Sequence, residues 1–138
     1  MVGVAADSQA VDKAFEFAYG LFGFPAAKRF VITEIPGGGD IFKQMIALDE
    51  EGLSFTLVYP YAFFPDYAPD IPDSDLEELG VTEADQAIVM AIANVPAEFK
   101  ETTANLKAPL VFNLKSRKAR QVILTDDYAT RQRLFKAE

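Results

Sequence analysis

The stretch Tyr59 to Asp75, YPYAFFPDYAPDIPDSD, restricts the fold more than any other part of the chain. Leading into it, Phe55, Leu57 and Tyr59 alternate with smaller or polar neighbours over Leu53 to Tyr59, the period of a strand with one buried face. Pro60 and Pro65 each remove a backbone donor and fix φ, so a hydrogen-bonded ladder cannot run on evenly through them. Phe63, Phe64 and Tyr67 nevertheless need apolar cover. The expectation is a bent loop anchored by aromatic rings. From Asp66 onward, Asp70, Asp73, Asp75, Glu77 and Glu78 follow with no cation among them, so the loop leaves the core as a negative ridge. Such a surface suits recognition better than chemistry.

The remaining chain is built from short β-type runs broken by turn residues. Phe15 and Phe17 alternate around Glu16, and Gly20, Gly23 and Pro25 then impose a turn in which Phe22 and Phe24 are expected to line the core. Lys28 to Glu34 and Ile41 to Leu48 read as strands joined through Pro36-Gly37-Gly38-Gly39-Asp40. These glycines do not form a phosphate loop, because no helix pattern with a following Lys-Ser/Thr appears. Asp49 to Gly52 is the turn into Leu53 to Tyr59, giving an antiparallel pair. Ser74 and Glu77 have the spacing of a capping box, and Gly80 that of a left-handed stop, so one short helix is expected between them. A second short turn is expected at Thr82 to Asp85. Ala87 to Val95 is a continuous apolar run suited to a central strand. Leu110 to Leu114 and Gln121 to Leu124 are expected strands flanking a basic turn, Lys115 to Arg120. About seven or eight short strands with one or two helical turns define an all-β antiparallel domain. Periodicity alone does not separate a barrel from a sandwich.

With 138 residues, one domain spanning the whole chain is the economical reading, large enough to bury ~65 to 70% of its unfolded surface. Residues 1–14 carry little hydrophobic periodicity and read as a frayed or shortened first strand. Cysteine and histidine are both absent, which removes disulfides, thiolate or imidazole metal sites, and every Cys- or His-based catalytic mechanism. The acidic residues do not have the alternating spacing and central glycine of a calcium loop. No metal or other cofactor is expected. There is no apolar run of membrane-spanning length and no basic, hydrophobic leader, so a cytoplasmic protein without membrane contact is expected.

The formal net charge of -8 is unevenly distributed. No basic residue occurs between Lys43 and Lys100, while nine basic and four acidic residues lie from Lys100 to Glu138. Either the two halves compensate in a soluble fold, or the negative half speeds encounter with a basic partner. The excess of acid argues against nucleic acid as a direct partner.

Seven segments in fixed order resemble the FliW family of bacterial flagellar assembly factors. They are GLFGF (Gly20 to Phe24), RFVI (Arg29 to Ile32), FFPDY (Phe63 to Tyr67), DLEELGV (Asp75 to Val81), TANLKAPLVFN (Thr103 to Asn113), RKARQVIL (Arg117 to Leu124) and Leu134-Phe135. FFPDY and TANLKAP are the more specific of these. The chain departs from the family at Ala119, where glycine is frequent, and at Gln132-Arg133, where His-Pro is common. The resemblance implies a β-barrel-like fold and a monomeric, non-enzymatic regulator. Such a regulator binds the translational regulator CsrA and also flagellin, which couples flagellin translation to flagellin level. Within the matching motifs, Phe64, Tyr67, Thr103, Asn105 and Lys107 are the candidate specificity contacts, and Asp66, Asp70, Asp73, Asp75, Glu77 and Glu78 the candidate acidic face for the basic partner. For Asn105 a second reading stands beside this one, a side chain satisfying loop backbone groups.

Two other classes fit parts of the sequence. A carboxylate-pair enzyme would use the abundant acids, although nothing sets two of them opposite one another. An OB-like single-strand binder would use the Lys115 to Arg120 turn, which lacks interleaved aromatics for base stacking.

Overall fold

The computed structural model describes residues 14–83 and 86–136. Its strands are β1 (Phe15–Phe17), β2 (Arg29–Glu34), β3 (Phe42–Ala47), β4 (Ser54–Val58), β5 (Ala87–Asn94), β6 (Thr103–Ala104), β7 (Leu110–Asn113), β8 (Lys118–Gln121) and β9 (Gln132–Arg133), with one helix, α1 (Asp73–Leu79). Short 3-10 turns occupy Pro60–Ala62 and Phe99–Glu101. Seven strands close into a barrel in the order β4-β3-β2-β1-β8-β7-β5, with β5 returning to β4. All pairings are antiparallel except β1 with β8, where Glu16 lies opposite Lys118. The all-β barrel expected from the family resemblance is therefore present, with one parallel seam.

Strand alternation sorts the apolar side chains into an inner and an outer set. Phe15 and Phe17 of β1, Phe30 of β2, Met45 of β3, Leu57 of β4, Met90 of β5, Leu110 and Phe112 of β7 and Ala119 of β8 fill the barrel. The rings of Phe15 and Phe17 meet Phe112 edge-on at centroid distances of 4.9 and 5.7 Å, the arrangement that aromatic quadrupoles favour. β5 is apolar on both faces because both are covered. Met90 points inward, while Ala91 and Ala93 meet an outer layer containing Val58, Tyr67, Ala104, Leu106 and Leu134. A second outer cluster joins Leu79 of α1 to Val111, Val122 and Leu124. The segment from Tyr59 to Val81 and the chain after β8 thus roof one outer side of the barrel.

β5 also explains how so small a barrel closes. Residues 87–90 pair with β7, 91–93 with β4, and 93–94 with β6, so one eight-residue strand binds three neighbours. β9 then adds to β6, and Leu134, which follows it, is buried in the same outer layer.

Several local expectations are corrected. In GLFGF the buried hydrophobic side chain is Leu21, while Phe22 is 78% exposed and Phe24 39%. Leu21 and Phe24 exchange backbone hydrogen bonds of 3.1 and 2.7 Å, and this tight loop turns Leu21 inward and leaves Phe22 at its tip. Gly20, with φ 66°, permits the loop: a Cβ there would lie 2.5 Å from the Pro25 carbonyl oxygen. The capping box does not form. α1 begins at Asp73 behind Pro72, which provides no side-chain cap, whereas Gly80 ends it in the left-handed region as expected. The last hairpin is shifted, with β8 covering Lys118–Gln121 rather than Gln121 to Leu124. Its positive φ falls on Arg117, at 63°, and Ala119 is an ordinary buried strand residue. The first-strand expectation for residues 1–13 and part of the Thr82 to Asp85 turn lie outside the described residues. Gln86 nonetheless ties that region, its Oε1 accepting from the backbone N–H groups of Thr82 and Glu83.

Candidate protein-binding surface

Aromatic anchoring holds the FFPDY loop against the barrel wall. The Tyr67 ring is buried, and its hydroxyl donates to the Leu106 carbonyl oxygen at 2.7 Å. Tyr128 meets that ring edge-on at 4.8 Å and accepts from the Ala68 N–H at 3.1 Å. Burial, ahead of the neighbouring Tyr61, Tyr128 and Asp126, pushes the Tyr67 phenol well above its ordinary value, so it serves as a fixed donor. The Pro60 carbonyl accepts from the Phe63 and Phe64 N–H groups, which supplies the partners that a proline-broken strand lacks. Phe64 is half-buried against Phe63. Asp66 and Asp70 project from this base into solvent.

α1 continues the acidic surface, but its carboxylates differ in state. Arg120 on β8 donates through Nε to Asp75 at 2.8 Å and through Nη1 to Glu78. Glu78 also accepts from the Tyr19 hydroxyl at 2.6 Å, and the Arg120 guanidinium lies 4.5 Å from the centre of the Tyr19 ring. The hydrogen bond to Glu78 is the main reason the Tyr19 phenol is raised. This cluster fastens α1 to the barrel and pairs both Asp75 and Glu78 internally with the one guanidinium. Asp66, Asp70, Asp73 and Glu77 are exposed and have no ion pair among the described residues. Of the six expected ridge carboxylates, these four remain available to a partner.

The second expected group lies against the same roof, since the Tyr67–Leu106 bond joins FFPDY to TANLKAP. Thr103 belongs to β6 and sits opposite Arg133 of β9. Asn105 accepts through Oδ1 from the N–H groups of Lys107 and Ala108 at 3.1 and 3.0 Å, so its side chain satisfies loop backbone groups. Lys107 donates through Nζ to the Asp126 carbonyl at 2.6 Å. All three residues are partly buried, as Phe64 is, and the side-chain hydrogen bonds of Asn105 and Lys107 shape the roof. Asn113, the last residue of the TANLKAPLVFN motif, does comparable work from a fully buried position. It donates to the Leu79 carbonyl and accepts from Lys115 and Ser116, joining the end of α1 to the β7–β8 turn.

Three features of this surface have no local signal in the sequence. One is the Tyr19–Glu78–Arg120 cluster. Another is an open cleft of about 490 Å³ between the acidic segment and the barrel, lined by Tyr61, Ile71, Leu76, Val81, Ala87 and Val89 among others, with Asp70 at its edge. The third is a set of exposed hydrophobic residues away from the ridge: Ile41, Val95 and Phe99 beside the β2–β3 turn, and Phe22 and Ile123 beside the Gly20 loop.

The arrangement offers little to the other two classes. Asp75 and Glu78 converge on a guanidinium instead of facing each other across an apolar cavity. No group of three acidic residues is gathered as a metal site among the described residues. In the basic segment, Arg120 is held by Asp75 and Glu78, and the Arg117 guanidinium lies 3.9 Å from the centre of the Phe15 ring. Two of its four cations are thereby engaged within the fold. No helix among the described residues is long and apolar enough to cross a membrane.

Fold and surface together define a small closed β-barrel whose distinctive chemistry lies outside, on an acidic roof of loop and helix. The chain belongs to the FliW family of flagellar assembly factors: the model of the FliW protein matches residues 4–134. It is 51% identical over 126 residues to the flagellar assembly factor FliW of Symbiobacterium thermophilum, covering 91% of each chain. Identity to the Geobacillus thermodenitrificans protein of the same name is 38% over 120 residues, covering 86% of this chain and 82% of that one. A crystal structure of the flagellar assembly factor FliW superposes with a TM-score of 0.86 at 34% identity, covering 92% of this chain and 89% of that one.

Proposed function

We propose that this chain is a cytoplasmic, monomeric regulator of flagellar assembly that binds and antagonises CsrA and also binds flagellin. In this scheme the chain sequesters CsrA, flagellin translation proceeds, and accumulating flagellin displaces CsrA. Partner exchange of this kind acts as a concentration sensor. If the two sites are distinct, the coupling between them is reciprocal by linkage. No cofactor, nucleic acid or membrane takes part.

The observation that carries the reading is the set of four exposed carboxylates, Asp66 and Asp70 on the hydrogen-bonded aromatic loop and Asp73 and Glu77 on α1, with no ion pair among the described residues. A basic RNA-binding protein is the natural counterpart of such a surface, because complementary potentials raise the encounter rate. The rigid base reduces the ordering cost on binding.

The test is calorimetric titration with CsrA, and separately with flagellin, from the same organism. Saturable binding to CsrA, followed by its displacement on adding flagellin, is the expected result. Absence of heat and of co-elution with either partner would overturn the reading.

A further inference from the structure

The cleft behind the acidic segment has a chemistry that the carboxylates alone do not explain. Its wall and floor come from Tyr61, Ile71, Leu76, Val81, Ala87 and Val89, and these side chains are only partly buried. Asp70 borders it directly. Asp73 is not in the lining itself, but it precedes Leu76 by three residues in α1, a spacing that puts the two on one helix face about one turn apart. Neither carboxylate has an ion pair among the described residues. An open, largely aliphatic hollow of about 490 Å³, with unpaired Asp70 in its lining and unpaired Asp73 one helical turn from Leu76, lies within the size range of ligand-binding clefts.

We propose that this cleft seats an aliphatic side chain carried on a Lys- or Arg-rich segment of a partner protein, the cations flanking that side chain meeting Asp70 and Asp73. The occupant follows from charge complementarity. An acidic or neutral apolar segment would leave both carboxylates beside a desolvated contact without compensation, which is costly. Division of labour follows as well: the carboxylates govern association rate and partner choice, and the buried aliphatic group governs dissociation. This inference rests on the regulator reading for the identity of the partner, but it concerns the cleft whichever basic protein fills it.

The experiment is a methyl-labelled NMR titration of the full chain with CsrA, and in parallel with the peptide amides Lys-Lys-Leu-Lys-Lys and Lys-Lys-Ala-Lys-Lys. Shifts of the Ile71, Leu76, Val81 and Val89 methyl signals are expected with CsrA and with the leucine peptide. The alanine peptide is expected to bind at least about fivefold more weakly, given what burial of an aliphatic side chain is worth. Ala87→Phe, which fills the cleft, is expected to weaken CsrA binding by about 10- to 100-fold. If that variant does not fold, the peptide titration on the unsubstituted chain decides. Tight CsrA binding that leaves these methyls unmoved would overturn the inference and leave the regulator reading standing. Methyl shifts with the leucine peptide but no CsrA binding would do the reverse. Equal response to both peptides, or the same methyls shifting with protein concentration alone, would also overturn it, the second because another copy of the chain would then be the occupant.

Discussion

Tyr67→Phe removes one oxygen atom from the roof and retains the ring. The hydroxyl donates to the Leu106 carbonyl at 2.7 Å in a buried setting, and water cannot readily replace it there. Leaving that carbonyl without its donor costs about 1 to 2 kcal/mol, whereas the packing against Tyr61 and Tyr128 survives. For a domain of this size the melting temperature should fall by about 3 to 8 °C. Equilibrium urea unfolding is the assay, with the midpoint shifting and the slope unchanged. An alkaline measurement adds a second check. The folded state keeps the Tyr67 proton to a higher pH than the unfolded chain, whose phenol titrates near its ordinary value of 10.0. Above about pH 10 the unfolded chain therefore loses protons that the folded state holds, and stability falls as pH rises. Tyr61 is raised in the same direction by burial, so Tyr67→Phe should reduce this alkaline loss without abolishing it. A variant as stable as the parent, with the same alkaline slope, would refute the assignment of Tyr67 as an internal post. Weaker CsrA binding at unchanged stability would instead place its hydroxyl at the interface.

Arg120→Gln should cost only about 1 kcal/mol, because the pairs it makes with Asp75 and Glu78 are partly exposed. The same substitution frees two carboxylates on the ridge, so association with a basic partner at low salt should speed up, and stopped-flow mixing would show it. Reversing charge with Asp70→Lys and Asp73→Lys should slow that association and flatten its salt dependence with the fold intact; unchanged kinetics at low salt would remove the ridge from the interface. Phe112→Ala should destabilise by about 3 to 5 kcal/mol, since Phe112 is fully buried against Phe15 and Phe17, and chemical unfolding followed by circular dichroism measures the loss.

The strands were legible because their signal is local. Alternation over Ser54–Val58 and Phe15–Phe17 and the β-branched residues of Arg29–Glu34 are visible within a few residues, and the continuous apolar run of Ala87–Asn94 marks a strand covered on both faces. Glycine placement located the stop of α1 for the same reason, its left-handed φ being a property of one residue. The acidic stretch could be read as a ridge, since six carboxylates without an intervening cation need no tertiary information to be recognised.

What a carboxylate does on that ridge was not legible. Asp75 and Glu78 carry the same charge in the sequence as Asp70 and Asp73, yet only the first two meet Arg120, which lies 42 residues beyond Glu78. Tyr67 reads equally well as a contact residue or a post until it is found bonded to Leu106, 39 residues away. Phe22 is exposed, against expectation, and Leu21 buried because a loop closed by two backbone hydrogen bonds, and not hydrophobicity, decides which of two adjacent apolar residues turns inward. Periodicity and composition determined that this chain makes short strands and an acidic loop. Closure of the barrel brought distant segments together and thereby decided which of those acids stay unpaired and where a cleft opens beside them, because pairing energies act through space and leave no trace in local sequence.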